Sequence, residues 1–224
     1  MRFSPERERN PDRSREAILD AAEHLFAERG YEGTSLQDVG TRAGVSRGTP
    51  SYFFRSKSEL YRSVLERCFA QVQDAVRTGR VRAIASGEAP DVVLAGVVGD
   101  YFDFIASHPS FIRLVEWEAL GGGEHLRDLP PHLHVVREAV TALADEMGFG
   151  PEQRAEAMQL TLSIIALCWF PFVHAGTVVS AMGADPRDAG FRDARRQHVI
   201  ELVLSGMRLR LPVPAATSST RSET

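Results

Sequence analysis

The side chains best equipped for chemistry sit close together. Ser46, Arg47, Thr49, Ser51, Tyr52 and Lys57 place two cations, three hydroxyls and a phenol within twelve positions. Such a set can donate to base edges and phosphate oxygens in a DNA groove, with Arg47 able to give two hydrogen bonds to one guanine. The same stretch contains Gly44-Val45-Ser46-Arg47-Gly48, a literal G-x-S-x-G with Ser46 where a hydrolase elbow carries its nucleophile. That elbow needs a strand before the serine. The residues before Gly44 have a helical period instead, so no catalytic residue is assigned and the DNA-reading chemistry is preferred.

The elements that would position these groups can be read around them. Thr34 and Gln37 have capping-box spacing, which predicts a helix from about Ser35. Leu36, Val39 and Ala43 give it one apolar face, and Gly44 supplies the positive φ that turns the chain. Val45 then plugs the angle, with Ser46 as a cap for the reading helix. Proline lacks a backbone donor, so Pro50 shifts the expected start of that helix to Thr49. A preceding helix over Asp12 to Arg29 carries Ile18, Ala21, Ala22, Leu25 and Phe26 on one stripe and stops at Gly30. A following helix opens at Ser56 to Glu59, runs past Val76 and ends or bends near Gly79. It would join this three-helix head to the rest.

Beyond Pro90 the pattern stays helical, with breaks at His108-Pro109, at a flexible joint Gly121-Gly122-Gly123, at Gly148 to Gly150 and at Asp185-Pro186. Aromatics at helical spacing are first of all core. Phe102, Phe104, Trp117, Trp169 and Phe172 can also wall a ligand cavity, with Glu116, His125 and His174 as its polar groups. Pro171 would kink a helix and leave room there. His132 and His134 lie next-but-one on a helix and point to different faces, so no metal site is expected and no cofactor is assigned. Leu160 to Met182 is uncharged and apolar on all sides. It is long enough to span a membrane, but burial between two subunits explains it equally, and no membrane association is expected.

Composition sets the frame. The 224 residues are 43% hydrophobic and 25% charged, with a net charge of -4, as in an ordinary soluble protein. The cations Arg42, Arg47, Arg55, Lys57, Arg62 and Arg67 make a local basic footprint on an acidic chain. Cys68 and Cys168 form no disulfide framework, and Met1 to Asp12 has no apolar leader, so a cytoplasmic location is expected.

From about Arg13 to Leu65 the chain resembles the TetR-type transcriptional regulators. The resemblance is carried by Ser14 to Tyr31, Gly33-Thr34-Ser35, Arg42 to Thr49, then Tyr52, Phe54, Ser56 and Lys57. It implies that Ser46, Arg47, Thr49 and Tyr52 touch bases and phosphates, and that Thr34 and Lys57 hold backbone phosphates. Pro50, Ser51 and Phe53 depart from the usual aliphatic, aromatic and histidine. It also implies a small-molecule effector in the helical body, here hydrophobic or aromatic, and a homodimer through the last two long helices on a palindromic operator. The expected architecture is all-α, with a disordered arm over 1–11, a helix-turn-helix head over 12–58, a ligand-binding and dimerisation body over 59–211 and a disordered tail over 212–224. A helical binding module without DNA function is the alternative.

Overall fold

The computed structural model describes residues 11–85 and 87–208, so the expected terminal arm and tail lie outside the described residues except at Pro11, which already belongs to a helix. Among the described residues the regular structure is helical throughout. The order is α1 (Pro11–Arg29), α2 (Leu36–Arg42), α3 (Thr49–Phe53), α4 (Lys57–Ala85), α5 (Pro90–Ser107), α6 (Pro109–Leu120), α7 (Pro130–Glu146), α8 (Arg154–Val173) and α9 (Ala189–Arg208). A 3-10 turn, Pro151–Gln153, leads into α8, and a π-helical turn, Ala175–Val179, follows it.

The head forms because α1 offers a full apolar stripe. Ile18, Ala22 and Phe26 are completely buried and meet Val39 of α2 and Leu60, Tyr61 and Val64 of α4. Gly44, at φ +68, closes α2 with paired bonds: its N–H goes to the Thr41 carbonyl, and that of Val45 to Gly40. This is the six-residue glycine stop in which the left-handed residue needs no Cβ. The helix expected to end or bend near Gly79 continues to Ala85, and α4 packs against α5 and α7.

The body packs α5 against α4, α8 and α9. Arg196 of α9 lies across Gly99 of α5 and pairs with Asp103, its Nε–H shared between the two carboxylate oxygens at 2.9 and 3.1 Å. The triple glycine after α6 is an ordered turn rather than a flexible joint. Gly122 and Gly123 take φ of 80° and 73°, and the Gly123 N–H donates to the Glu118 carbonyl at 2.7 Å.

Pro151–Val173 is long and apolar enough to cross a membrane by length and composition, yet only 22% of its most apolar window is buried within the protomer. Met158, Leu162 and Phe170 of α8, with Leu202 of α9, are exposed. Pro171 sits buried inside α8 without ending it; the irregular π-helical turn comes two residues after that helix.

Candidate nucleic-acid interface and ligand cavity

In the head, the cap of α2 is displaced by one residue from the sequence expectation. Ser35, not Thr34, is the N-cap: its hydroxyl accepts from the Asp38 N–H and donates to the Asp38 carboxylate at 2.6 Å, while that carboxylate also accepts from the Ser35 N–H. These donors hold the Asp38 carboxyl below the usual carboxylate range. Thr34 is 2% exposed and donates inward to the Leu25 and Gly30 carbonyls. This corrects its expected role, because a hydroxyl buried and spent on two carbonyls presents nothing to a phosphate.

The reading helix is short. Gly48 is its N-cap, Thr49 its first residue and Pro50 its second, where a missing N–H costs nothing. Pro50 is buried on Gly40 of α2, where an added Cβ would lie 3.3 Å from the proline ring and 3.2 Å from the Ser46 carbonyl. Sequence reading missed Gly40, whose lack of a side chain lets the two helices approach. Ser46 and Thr49 share a 2.6 Å hydroxyl contact, Arg47 and Ser51 are exposed, and Tyr52 is 83% exposed with its ring edge-on to Phe53.

The basic footprint is narrower than the sequence suggests. Arg67 is turned inward onto Glu16, Asp20 and Glu23, Arg62 pairs with Glu66, and Arg42 lies 3.8 Å from Glu28. No ion pair involves Arg47 or Arg55 among the described residues. Lys57 donates to the Tyr31 carbonyl at 3.0 Å and lies over the Tyr31 ring, with Glu32 at 3.8 Å. Counted over residues 11–58, seven Arg and Lys side chains face seven Asp and Glu, so the head as a whole is neutral.

Head and body meet at a polar seam. Glu118 is buried and accepts from the His125 N–H at 2.9 Å and from its Nδ1 at 3.0 Å. The His125 ring packs on Tyr31 of the head and edge-on to Tyr61 of α4. Burial and the Glu118 carboxylate push the Tyr61 phenol above its ordinary range. Trp117 lies on Gly30, 3.1 Å from where a Cβ would stand, and donates to the Ala27 carbonyl at 3.3 Å. His125, expected in a ligand pocket, instead joins the body to the head, and Trp117 shares in that joint.

The cavity lies elsewhere. About 360 Å³ of space lies among α4 to α8, between Val72 and Val76, Val97, Ala139 and Ala142, and Trp169, and is partly open to solvent. Of the eight expected ligand residues only Trp169 lines it; its N–H donates to the Tyr101 hydroxyl at 2.6 Å. Phe102 and Phe104 are buried core, because their rings fill the space they were expected to border. Glu116, Trp117 and Phe172 line a second, open cleft of about 1010 Å³ between α6 and the segment from α8 to α9. His174 stacks on Phe170 at the end of α8, in neither space. His132, set aside in the sequence, lines the cavity beside Phe69. Among the described residues no three metal-ligating side chains cluster.

A short exposed reading helix on a three-helix head, with an apolar cavity in a helical body, is the architecture of a ligand-responsive DNA-binding regulator. Residues 18–64 match the family described as bacterial regulatory proteins, tetR family, and residues 90–203, just over half the chain, match the tetracyclin repressor-like C-terminal domain. The chain belongs to the TetR family of transcriptional regulators. It is 28% identical over 207 residues to the HTH-type transcriptional repressor NicS of Pseudomonas putida, covering 90% of this chain and 96% of that one. It is also 28% identical over 212 residues to the HTH-type transcriptional regulator RutR of Escherichia coli, covering 94% and 98%. The solved fatty acid degradation regulator FadR from Bacillus halodurans has the same fold, with a TM-score of 0.64 at 18% identity over 93% of this chain and 99% of that one.

Proposed function

We propose that this regulator is a cytoplasmic homodimeric repressor that binds a palindromic operator and is released when an apolar effector enters the cavity between α4 and α8. One observation carries the reading. Helix α4 belongs to both regions: its first residue, Lys57, holds the head at Tyr31, and its Phe69, Val72 and Val76 line the cavity. A ligand that favours a displaced α4 therefore also favours a displaced head, and coupling of about 1–3 kcal/mol weakens DNA binding several-fold to about a hundredfold.

In this reading Arg47 reads a base edge and Ser46, Thr49, Ser51 and Tyr52 complete the contacts, with Lys57 at a phosphate. The exposed apolar face of Met158, Leu162 and Phe170, with Leu202, meets its copy across a two-fold axis. A two-fold dimer matches a pseudo-palindrome with half-sites about one helical turn or more apart. In this reading the G-x-S-x-G motif belongs to the helix-turn-helix, with helix α2 standing where a hydrolase elbow has its strand.

The test is selection of bound genomic fragments by the purified protein, followed by footprinting at two salt concentrations. One palindrome, protected symmetrically and less so at high salt, is the expected result. A folded dimer that enriches no sequence at either salt concentration would sink the proposal and leave a binding module without DNA function.

A further inference from the structure

The cavity is polar at few points. Tyr101, His132, Glu146, Thr161 and Trp169 are the lining side chains with polar atoms; no Lys or Arg lines it among the described residues. Thr161 donates its hydroxyl proton to the Ala157 carbonyl at 2.9 Å, and Trp169 gives its N–H to Tyr101. Glu146 already has an interaction within the chain, and its carboxylate disfavours a second negative charge nearby.

His132 differs from these. Its Nδ1 lies 3.1 Å from the Leu126 carbonyl. A carbonyl can only accept, so Nδ1 carries a proton, and in the tautomer this bond selects the lone pair lies at Nε2. Nε2 makes no hydrogen bond among the described residues, and the ring is part of the cavity wall.

We infer that the cavity takes an uncharged, largely apolar ligand with a hydroxyl group that donates to His132 Nε2. This rests on the reading of the cavity as the effector site and narrows it. An anionic ligand would be buried against apolar walls with no Lys or Arg from the described lining, a desolvation cost that those walls do not offset. A purely apolar ligand forgoes the acceptor at His132 Nε2.

Four probes with one skeleton test it by calorimetry on the full-length protein: biphenyl, 4-phenylphenol, 4-methoxybiphenyl and biphenyl-4-carboxylate. The phenol is expected to bind roughly three- to tenfold more tightly than biphenyl, the increment of one net hydrogen bond. The methoxy compound, which cannot donate, loses that advantage, and the carboxylate binds most weakly. In H132F the phenol and biphenyl bind alike, and retained biphenyl binding reports an intact cavity. A carboxylate that equals the phenol, a methoxy compound that keeps the advantage, or a phenol preference that survives in H132F overturns the inference while leaving the cavity as the effector site. If none of the four binds, or if A139W, which fills the cavity, binds them as the wild type does, the effector-site reading falls and the inference with it.

Discussion

Arg47 and Lys57 carry the same charge in different settings. Arg47 is exposed with no ion pair among the described residues, whereas Lys57 is half-buried and tied to Tyr31. Arg47→Ala is expected to cost roughly 1–3 kcal/mol on the preferred operator and to relax sequence preference. Lys57→Ala should weaken all sequences alike, lower the salt slope by about one and also lower the melting temperature, since it removes a bond inside the head. Anisotropy titrations on preferred and random duplexes separate the two. Equal effects of both variants on both duplexes would refute this division of roles. The cysteines give a second residue-scale prediction. Burial pushes the Cys168 thiol up to about 12 and moves Cys68 in the same direction. Both thiols stay protonated near neutral pH, and a thiol-disulfide reagent at pH 8 should react with neither in the native protein and with both after denaturation. Rapid reaction of a native thiol would show that one of these sites opens.

At the scale of elements, the seam between α1 and α6 is the sensitive joint. Gly30 has φ +71, and a side chain there would press on the Trp117 ring. Gly30→Ala should cost about 1–2 kcal/mol from backbone strain alone and should shift Trp117 emission as the ring is displaced. An unchanged spectrum and melting point would mean the two helices are not held at this contact. The head was legible in the sequence because its stops are local: Gly30 and Gly44 end helices wherever the chain goes. The cap of α2 was ambiguous, since Thr34-Gln37 and Ser35-Asp38 are spaced alike, and only tertiary burial of Thr34 decides between them. The cavity was misread for a physical reason. Large rings such as Phe102 and Phe104 fill space, while a void opens where small side chains such as Val97, Ala139 and Ala142 face one another. Runs of valine and alanine on the inner faces of α4, α5 and α7 were the available signal. The placement of His125 at the seam had none, because it depends on how the turn after α6 folds back onto Tyr31.

For the whole molecule, the exposed apolar face of α8 decides whether one chain suffices. A helix this apolar with so little of its surface buried needs a second surface, and a stable dimer covers about 800 Å² on each partner. Leu162→Glu, at a position 54% exposed in the protomer, should leave the fold intact and shift the protein to monomers in sedimentation analysis. Operator affinity should then fall by more than about tenfold as half the contacts are lost. A dimer that survives this charge pair on the axis would place the interface elsewhere. The electrical balance of the head bears on how the regulator finds its target. Neutrality over 11–58, with Glu16, Asp20 and Glu23 gathered by Arg67, gives the duplex little unspecific pull to exert. Binding to random sequence scales with the phosphates neutralised, so each accidental landing on the chromosome is brief. The expected search is then by frequent detachment and return rather than by long slides, and long slides seen for single molecules on random DNA would overturn this.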